Sequence, residues 1–499
     1  MPSRSPSDTT ALVGQAIDMK SRPLFNYSPR LKPLPHQVEA ITFLSQRDWA
    51  ALFDEQGLGK TKIIIDTMLR GFAQGVIESA VVICKKSLLA TWQEEIVKHS
   101  QLRSVVLRGS QEQKGLHYMW FAHFYLINYD LVSSEVERLK RFLLTRPVAI
   151  ILDESQRIKN PESKAARAIH SIAALAKKRF IITGTPIANS PGDLWAQVFF
   201  LDGGLTLGHS PEEFYKRFEI KERPHKEPVI DETGLEKLRE ALSGFSMRRL
   251  KENVLQLPEK TYKTIEVELE PHQREMYDSL RQQLFLEIQN QDGQTVIDDA
   301  ENILKRMLRL VEIASNPALL DTAYCPVPAK FHALDELIQD VVTRGEKAII
   351  WTCFVKNIRL LRRRYDRFGA AMLFGDIPIE DRSRIVNSFQ HQHDLRVLIA
   401  NPAAAKEGLT LTAANHAIYL DRNFNLLDYL QSQDRIHRIS QERPAFIYNL
   451  VGEQTIDAYI DDVVYRKQVV AQYVYGDTTD LQMPPVVFTK EDILRLLGA

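Results

Sequence analysis

Little in this sequence ties the chain together covalently or marks it for a membrane. Its three cysteines, Cys84, Cys325 and Cys353, lie far apart and form no C-x-x-C pair. Neither a zinc module nor a disulfide framework is indicated, and this usage points to a reducing, cytoplasm-like setting. No apolar run reaches the roughly 18 residues that a membrane span requires. The stretch from Met1 to Lys20 is polar and has no signal-peptide core. The expectation is a chain that stays where it is made, with a disordered or loosely packed start over residues 1–25. A net charge is missing as well, because 64 Lys and Arg balance 64 Asp and Glu. Any nucleic-acid contact must therefore come from a local basic surface rather than an overall field. Short-period repeats are absent.

What is present is an ordinary globular composition, 44% apolar and 26% charged over 499 residues. That length exceeds what one hydrophobic core serves, so two or three domains are expected. Short apolar runs at Ala50–Phe53, Ala80–Cys84, Phe124–Asn128, Val148–Leu152 and Phe180–Thr183 suit strands buried on both faces of a parallel sheet. Lys60–Phe72 and Leu88–His99 between them carry apolar residues at helical spacing. A second alternation offers strands at Ala348–Trp351, Ala371–Phe374, Val397–Ala400, Ala417–Leu420 and Ala445–Leu450. The middle is different: Gln273–Leu286 and Glu301–Ile313 read as long charged helices, and Tyr262–Leu269 as a strand. The fold class expected is α/β, two lobes with parallel sheets flanked by helices. The boundaries expected are 26–255 for the first lobe and 256–475 for the second, which holds a helical insertion at about 271–325. A tail with a short helix, Lys490–Leu497, fills 476–499.

The chemistry starts at Asp54-Glu55-Gln56-Gly57-Leu58-Gly59-Lys60-Thr61, which follows a strand and opens a helix. Gly57 and Gly59 let backbone N–H groups close on phosphate oxygens at a helix N-terminus. Lys60 would reach the β- and γ-phosphates of ATP, and the Thr61 hydroxyl would ligate Mg²⁺. A strict Walker-A pattern wants Gly or Ala where Asp54 stands, and an isolated turn of this kind can be merely structural. The strand Val148–Leu152 then delivers Asp153 and Glu154 to the carboxyl edge of the sheet, where ligands bind. Asp153 would hold Mg²⁺ through water, and Glu154 would polarise the attacking water. A lone Asp-Glu pair is usually a solvated loop; in one lobe with Lys60 it reads as catalytic. Thr183, Gly184 and Thr185 follow another strand, where a loop could sense the γ-phosphate. The Gln37 amide could pair with the adenine edge.

In this order and spacing the chain resembles the SWI/SNF-type DNA-dependent ATPases, a branch of the superfamily-two helicases, over about Leu31 to Gln468. The phosphate loop, Val81–Ile96 and Ile182–Ser190 resemble that family's first three motifs. Met247-Arg248-Arg249-Leu250-Lys251 followed by Leu257-Pro258-Glu259-Lys260, and the segment Met307–Leu320, are more specific to it. Ala348–Phe354 with Leu373–Phe389, then Gly408–Thr412, then Gln431–Gln441 resemble its later motifs. The resemblance implies two RecA-like lobes, with Gly408 near the nucleotide. Arg435 and Arg438, three residues apart and so on one face if helical, are then arginine fingers supplied in cis. It also implies double-stranded DNA gripped by its backbone across both lobes. Candidate contacts are Lys85, Lys86, Asn128, Arg157 and Lys159 in the first lobe, and Thr352 and Lys356 in the second. The run Arg362-Arg363-Arg364 reads instead as a solvated helix face.

Two departures concern coupling. The acids are followed by Ser155-Gln156, where the family usually carries Ala-His, and Ala403–Glu407 replaces a segment often holding two glycines. Hydrolysis is expected to survive the first, with Gln156 joining Thr183, Gly184 and Thr185 as coupling residues. The function expected is an ATP-dependent duplex-DNA translocase using ATP and Mg²⁺, monomeric in isolation, with a protein partner supplying substrate choice. Its setting would be the cytoplasm of a bacterium or phage-infected host, or a eukaryotic nucleus. Two rivals stay open: a strand-separating or fork-reannealing DNA or RNA helicase, and an ATP-gated DNA-binding scaffold with weak hydrolysis.

Overall fold

A computed structural model describes residues 26–223, 226–229, 231–290, 300–407 and 409–479, together with Leu494 and Leu497. The polar start, Gly408 and most of the expected tail and terminal helix lie outside these described residues. Each alternating region forms its own parallel sheet. The first contains β1 (Trp49–Leu52), β2 (Ser79–Cys84), β3 (Ser104–Val106), β4 (Phe124–Asn128), β5 (Val148–Asp153) and β6 (Lys178–Ile182). A small antiparallel hairpin, β7 (Lys221–Arg223) and β8 (Lys226–Val229), stands apart, and β9 (Ser246–Met247) completes the first sheet. The strand order is β3-β4-β2-β5-β6-β1-β9.

Because side chains alternate across a strand, one sheet supplies two cores. Ala51, Val81, Ile83, Ile127, Ile150 and Leu152 pack on one face. Ala50, Leu52, Val82, Leu126, Ile151 and Ile182 pack on the other. Burial on both faces is why these segments read as unbroken apolar runs.

The second sheet holds β10 (Lys260–Val267), β11 (Ala348–Trp351), β12 (Ala370–Leu373), β13 (Val397–Ala400), β14 (His416–Tyr419) and β15 (Ala445–Gly452). Its order is β10-β15-β14-β11-β13-β12. The insertion helices Pro271–Asn290 and Ala300–Ser315 do not form a separate layer. Their Tyr277, Leu284, Met307 and Leu310 join the core that also holds Ile349, Leu398 and Tyr419.

A 20-residue helix, Ile456–Tyr475, ties the two bodies together. Ile456, Ile460 and Val464 are buried in the second-lobe core, whereas Val470, Ala471, Tyr473 and Val474 are buried in the first. Among the described residues no helix is long and apolar enough to cross a membrane.

Candidate ATP site

The strand order fixes where the motifs meet. β5, β6 and β1 are consecutive neighbours in the first sheet. The loops leaving their carboxyl ends, Asp153-Glu154, Thr183–Thr185 and Phe53–Gly59, therefore emerge side by side. Gly57 and Gly59 take left-handed backbone angles, φ +91° and +80°, which side-chain-bearing residues rarely adopt. A Cβ on Gly59 would fall 2.4 Å from Gln37 Nε2 and displace that amide, adding to the strain of the positive φ. Lys60 opens the helix Lys60–Ala73 and is nearly buried. Its ammonium donates to the carbonyls of Asp54 at 2.8 Å and Glu55 at 3.2 Å, inside the curl of its own loop. Burial pushes its pKa down, while Glu154, Asp54 and Asp153 pull it back up. Arg249 holds the loop from outside by an ion pair with the fully buried Asp54. This explains how an aspartate can stand where the usual pattern has a small residue.

Glu154 sits in a left-handed conformation, φ 54°, and is buried. Three glutamine amides converge on its carboxylate. Gln156 Nε2 donates to Oε2 at 2.6 Å, Gln56 Nε2 to Oε1 at 3.3 Å, and Gln431 Nε2, from the second lobe, to Oε2 at 3.5 Å. Burial favours the neutral acid, but Lys85, the Gln156 hydrogen bond, Lys60 and Arg435 outweigh it and hold the pKa below the ordinary carboxylate value. Asp153 moves the other way, raised by burial and by the neighbouring Glu154 charge. Its Oδ2 accepts a 2.8 Å hydrogen bond from Trp92 Nε1, and its backbone carbonyl one from the Tyr129 hydroxyl. The carboxylate pair is thus split into one acid held charged and one more easily protonated.

The arginines reach the cleft by a route different from the one expected. The helix Leu426–Gln433 stops before them, and Arg435 and Arg438 lie in the turns that follow. They converge because both donate to one carbonyl, that of Leu409, and Arg438 also donates to Thr410 Oγ1 at 2.8 Å. Arg435 is 2% exposed, and its Nε is buried without an acceptor. Burial and the adjacent Arg438 charge push its pKa down to about 9, against the pull of Asp434 and Glu154. A buried guanidinium short of acceptors is suited to an incoming anion. The cleft between these arginines and the phosphate loop encloses about 440 Å³, lined by Gly57, Gly59, Lys60, Thr61, Asp153, Glu154, Thr410, Arg435 and Arg438. The donor set fits a nucleoside triphosphate: cations at both ends, a glycine cradle, and a hydroxyl and carboxylate for Mg²⁺.

Other expected residues fall as follows. Gln37 spends its amide locally, accepting from Leu34 N–H and donating to the Leu58 carbonyl at 3.3 Å, so it braces the phosphate loop. Thr183 Oγ1 accepts from Thr185 N–H, and Gly184 packs so closely on Gln56 that a Cβ would lie 3.0 Å from it. Lys86 and Arg157 are exposed, and Lys159 pairs with Asp193. Lys85 is half-buried, and its charge favours the ionised forms of both Glu154 and Asp153. Asn128 is nearly buried and caps the helix Tyr129–Thr145. Lys356 is exposed at the surface and donates to the Ala318 carbonyl. Thr352 departs from the expected DNA contact: it is fully buried, and its hydroxyl donates to Asp421 at 2.7 Å, leaving nothing to offer a phosphate. Gly408 is outside the described residues.

Gln56, Trp92, Lys251 and Asp434 all stood inside quoted motifs but were not among the expected site residues. Lys251 Nζ crosses between the lobes to Asp434 Oδ1 at 2.5 Å and to the His437 carbonyl at 3.0 Å.

A family model described as SNF2-related domain matches residues 36–319, and one described as helicase conserved C-terminal domain matches residues 329–440. The putative ATP-dependent helicase/translocase YwqA of Bacillus subtilis is 29% identical, over 92% of this chain and 52% of its own length. The chromodomain-helicase-DNA-binding protein 1-like of Mus musculus is 25% identical, over 87% of this chain and 48% of its own. A solved structure, the Sulfolobus solfataricus SWI2/SNF2 ATPase core in complex with dsDNA, is 26% identical. It covers 90% of this chain and 98% of its own, with a TM-score of 0.42. The chain spans about half the length of the curated relatives it matches.

Proposed function

We propose that this chain, which belongs to the SNF2-related family of DNA-dependent ATPases, moves along double-stranded DNA by opening and closing its two lobes around ATP. The observation that carries the reading is the cleft itself. One wall is Lys60, Thr61, Asp153 and Glu154 from the first lobe, and the other is Arg435 and Arg438 from the second. Hydrolysis thereby depends on how the lobes face each other.

Lys60 would neutralise the β- and γ-phosphates, and Thr61 and Asp153 would hold Mg²⁺, which supplies charge stabilisation when bound. Glu154, kept ionised by its neighbours, orients water for in-line attack. Arg435 and Arg438 stabilise the charge that develops on the transferred phosphoryl group. DNA would lie on the exposed cations Lys86 and Arg157 of one lobe and Lys356 of the other, gripped by its phosphates. The names of its relatives, a helicase/translocase and a DNA-binding helicase, support a nucleic-acid track. Since those relatives are about twice as long, a partner or further domain supplying substrate choice fits the same reading.

The test compares ATP turnover with linear duplex, single-stranded and forked DNA, beside Lys60→Ala and Glu154→Gln. Strong stimulation by duplex that falls with salt, with both variants silent, is expected. Displacement of a triplex-forming strand by the moving protein would register translocation. Equal turnover with and without DNA would sink the proposal. Stimulation by single strands alone would favour strand separation instead.

A further inference from the structure

Trp92 is a large aromatic residue on the helix Leu89–His99, 1% exposed, and its packing alone would make it ordinary core. Its indole N–H, however, points at the carboxylate assigned to Mg²⁺, 2.8 Å from Asp153 Oδ2. An indole nitrogen only donates, so the bond is one-directional and favours the ionised carboxylate. It occupies one oxygen of Asp153 and restrains the plane of the group, in a residue that itself lines the cleft. The Trp92 ring also lines that cleft beside Leu88, Thr91 and Glu95. The helix is preceded by the short turn Lys86–Leu88, which carries the exposed Lys86. One rigid element therefore joins a cation suited to a DNA phosphate to a donor on the metal-side carboxylate.

We propose that Trp92 is a positioning residue that sets the orientation of Asp153 according to how the Lys86 turn is engaged, so that DNA contact is read at the Mg²⁺ site. This rests on the ATPase reading above. The physical basis is that groups hydrogen-bonded to a metal-binding side chain orient it and tune its affinity. Displacing the helix by a few tenths of an ångström lengthens the 2.8 Å bond and frees the carboxylate to rotate. DNA on the Lys86 turn holds the helix in place and so keeps Asp153 preset.

Trp92→Phe keeps an aromatic ring at this buried position and removes the N–H together with the second ring of the indole. The Mg²⁺ concentration that half-saturates nucleotide binding, followed with a fluorescent ATP analogue and no DNA, is expected to rise about tenfold, the low end for loss of such an orienting partner. The factor by which duplex DNA stimulates turnover should shrink, while the DNA concentration giving half-maximal effect stays within about twofold of wild type, because no DNA contact is removed. Unchanged Mg²⁺ dependence together with unchanged stimulation, in a variant that unfolds as cooperatively as wild type, overturns the proposal. A second form retains Trp92 as the sole tryptophan of the five. Its emission should change on adding Mg²⁺ with nucleotide and change further with DNA, and a flat response refutes the link even if Trp92→Phe folds poorly. A wild-type protein that does not hydrolyse ATP would instead defeat the underlying reading, so the two failures are distinguishable.

Discussion

Gln156 stands where related ATPases usually carry histidine, and its contact with Glu154 makes a quantitative prediction. Gln156→Met keeps the length of the side chain and removes the amide. The lost bond is the shortest of the three on Glu154, 2.6 Å, against 3.3 Å from Gln56 and 3.5 Å from Gln431. A hydrogen bond to a charged group contributes about 1.5–3 kcal/mol, and about 1.4 kcal/mol is tenfold in rate. If the bond holds Glu154 in its working orientation, DNA-saturated kcat should fall about 10- to 100-fold. The two remaining donors are too long to replace it. Because the bond favours the ionised acid, its loss raises the Glu154 pKa. The acid limb of the kcat–pH profile should therefore move toward neutrality. Gln156→His restores a donor and should recover most of the rate, with a new dependence near the ordinary histidine pKa of about 6.5. Steady-state phosphate release with saturating duplex DNA, measured from about pH 4, near the ordinary carboxylate value, up to about pH 9, is the assay. A Gln156→Met protein within twofold of wild type, with an unmoved acid limb, would refute the role given to this amide.

If Arg438 acts as the proposed arginine finger, Arg438→Ala should reduce turnover by about 10³-fold or more while leaving the fold intact, and single-turnover hydrolysis beside thermal unfolding separates these outcomes. Asp434→Ala leaves Lys251, 3% exposed, without its main counter-charge between the lobes. A destabilisation of about 3 kcal/mol is expected from breaking such a buried pair, visible as a lower denaturant midpoint. His123 is buried against the rings of Tyr27, Phe72 and Phe121, and burial together with Arg103 pushes its pKa down to about 4. The unfolded chain takes up a proton near pH 6.5, but the folded chain does not until about pH 4. Stability present above 6.5 is therefore lost as pH falls through that window. His123→Phe should remove about 1–2 kcal/mol of the difference in unfolding free energy between pH 7 and pH 5; an unchanged difference would contradict the assignment.

The sequence made the doubly buried strands legible because a strand covered on both faces must be apolar throughout. β4, β11 and β13 coincide with the runs at Phe124–Asn128, Ala348–Trp351 and Val397–Ala400. The two short strands flanking the first sheet escaped: β3 has three residues and β9 two, too few to show a period. Polar partnerships were harder still. Periodicity places Trp92 on a buried helix face but is silent on its N–H, whose acceptor lies 61 residues away. Thr352 follows a strand and reads as a loop donor until Asp421, 69 residues on, claims its hydroxyl. Spacing puts Arg435 and Arg438 on one helical face. The helix instead ends at Gln433, and Lys251, 183 residues earlier, grips Asp434 just past its end. The pairing of the arginines survives because a carbonyl, that of Leu409, gathers them.

Two connections between the lobes constrain how the cleft can move. One is the linker from Leu250 to Lys260, anchored where Lys251 meets Asp434 and His437. The other is the end of the helix Ile456–Tyr475, where the Tyr475 hydroxyl accepts from Ile187 N–H at 2.7 Å and Asp477 pairs with Arg248. Arg248 and Lys251 are three residues apart, yet they hold different structures of the second half of the chain. Arg248 also donates to the carbonyls of Phe53 and Gly184, beside the phosphate loop. Between the two anchors lies a cavity of about 580 Å³, and Gln56 lines both this cavity and the nucleotide cleft. The phosphate loop is therefore flanked by the tethered side and by the side that faces the arginines. The lobe motion proposed above would then be a rotation about the line joining the two anchors. Gly57 of the phosphate loop is approached both by Lys251 of one anchor and by Arg438 across the cleft. Changes that soften either anchor should thus disturb the registration of Arg435 and Arg438 with Glu154 before they disturb the fold of either lobe.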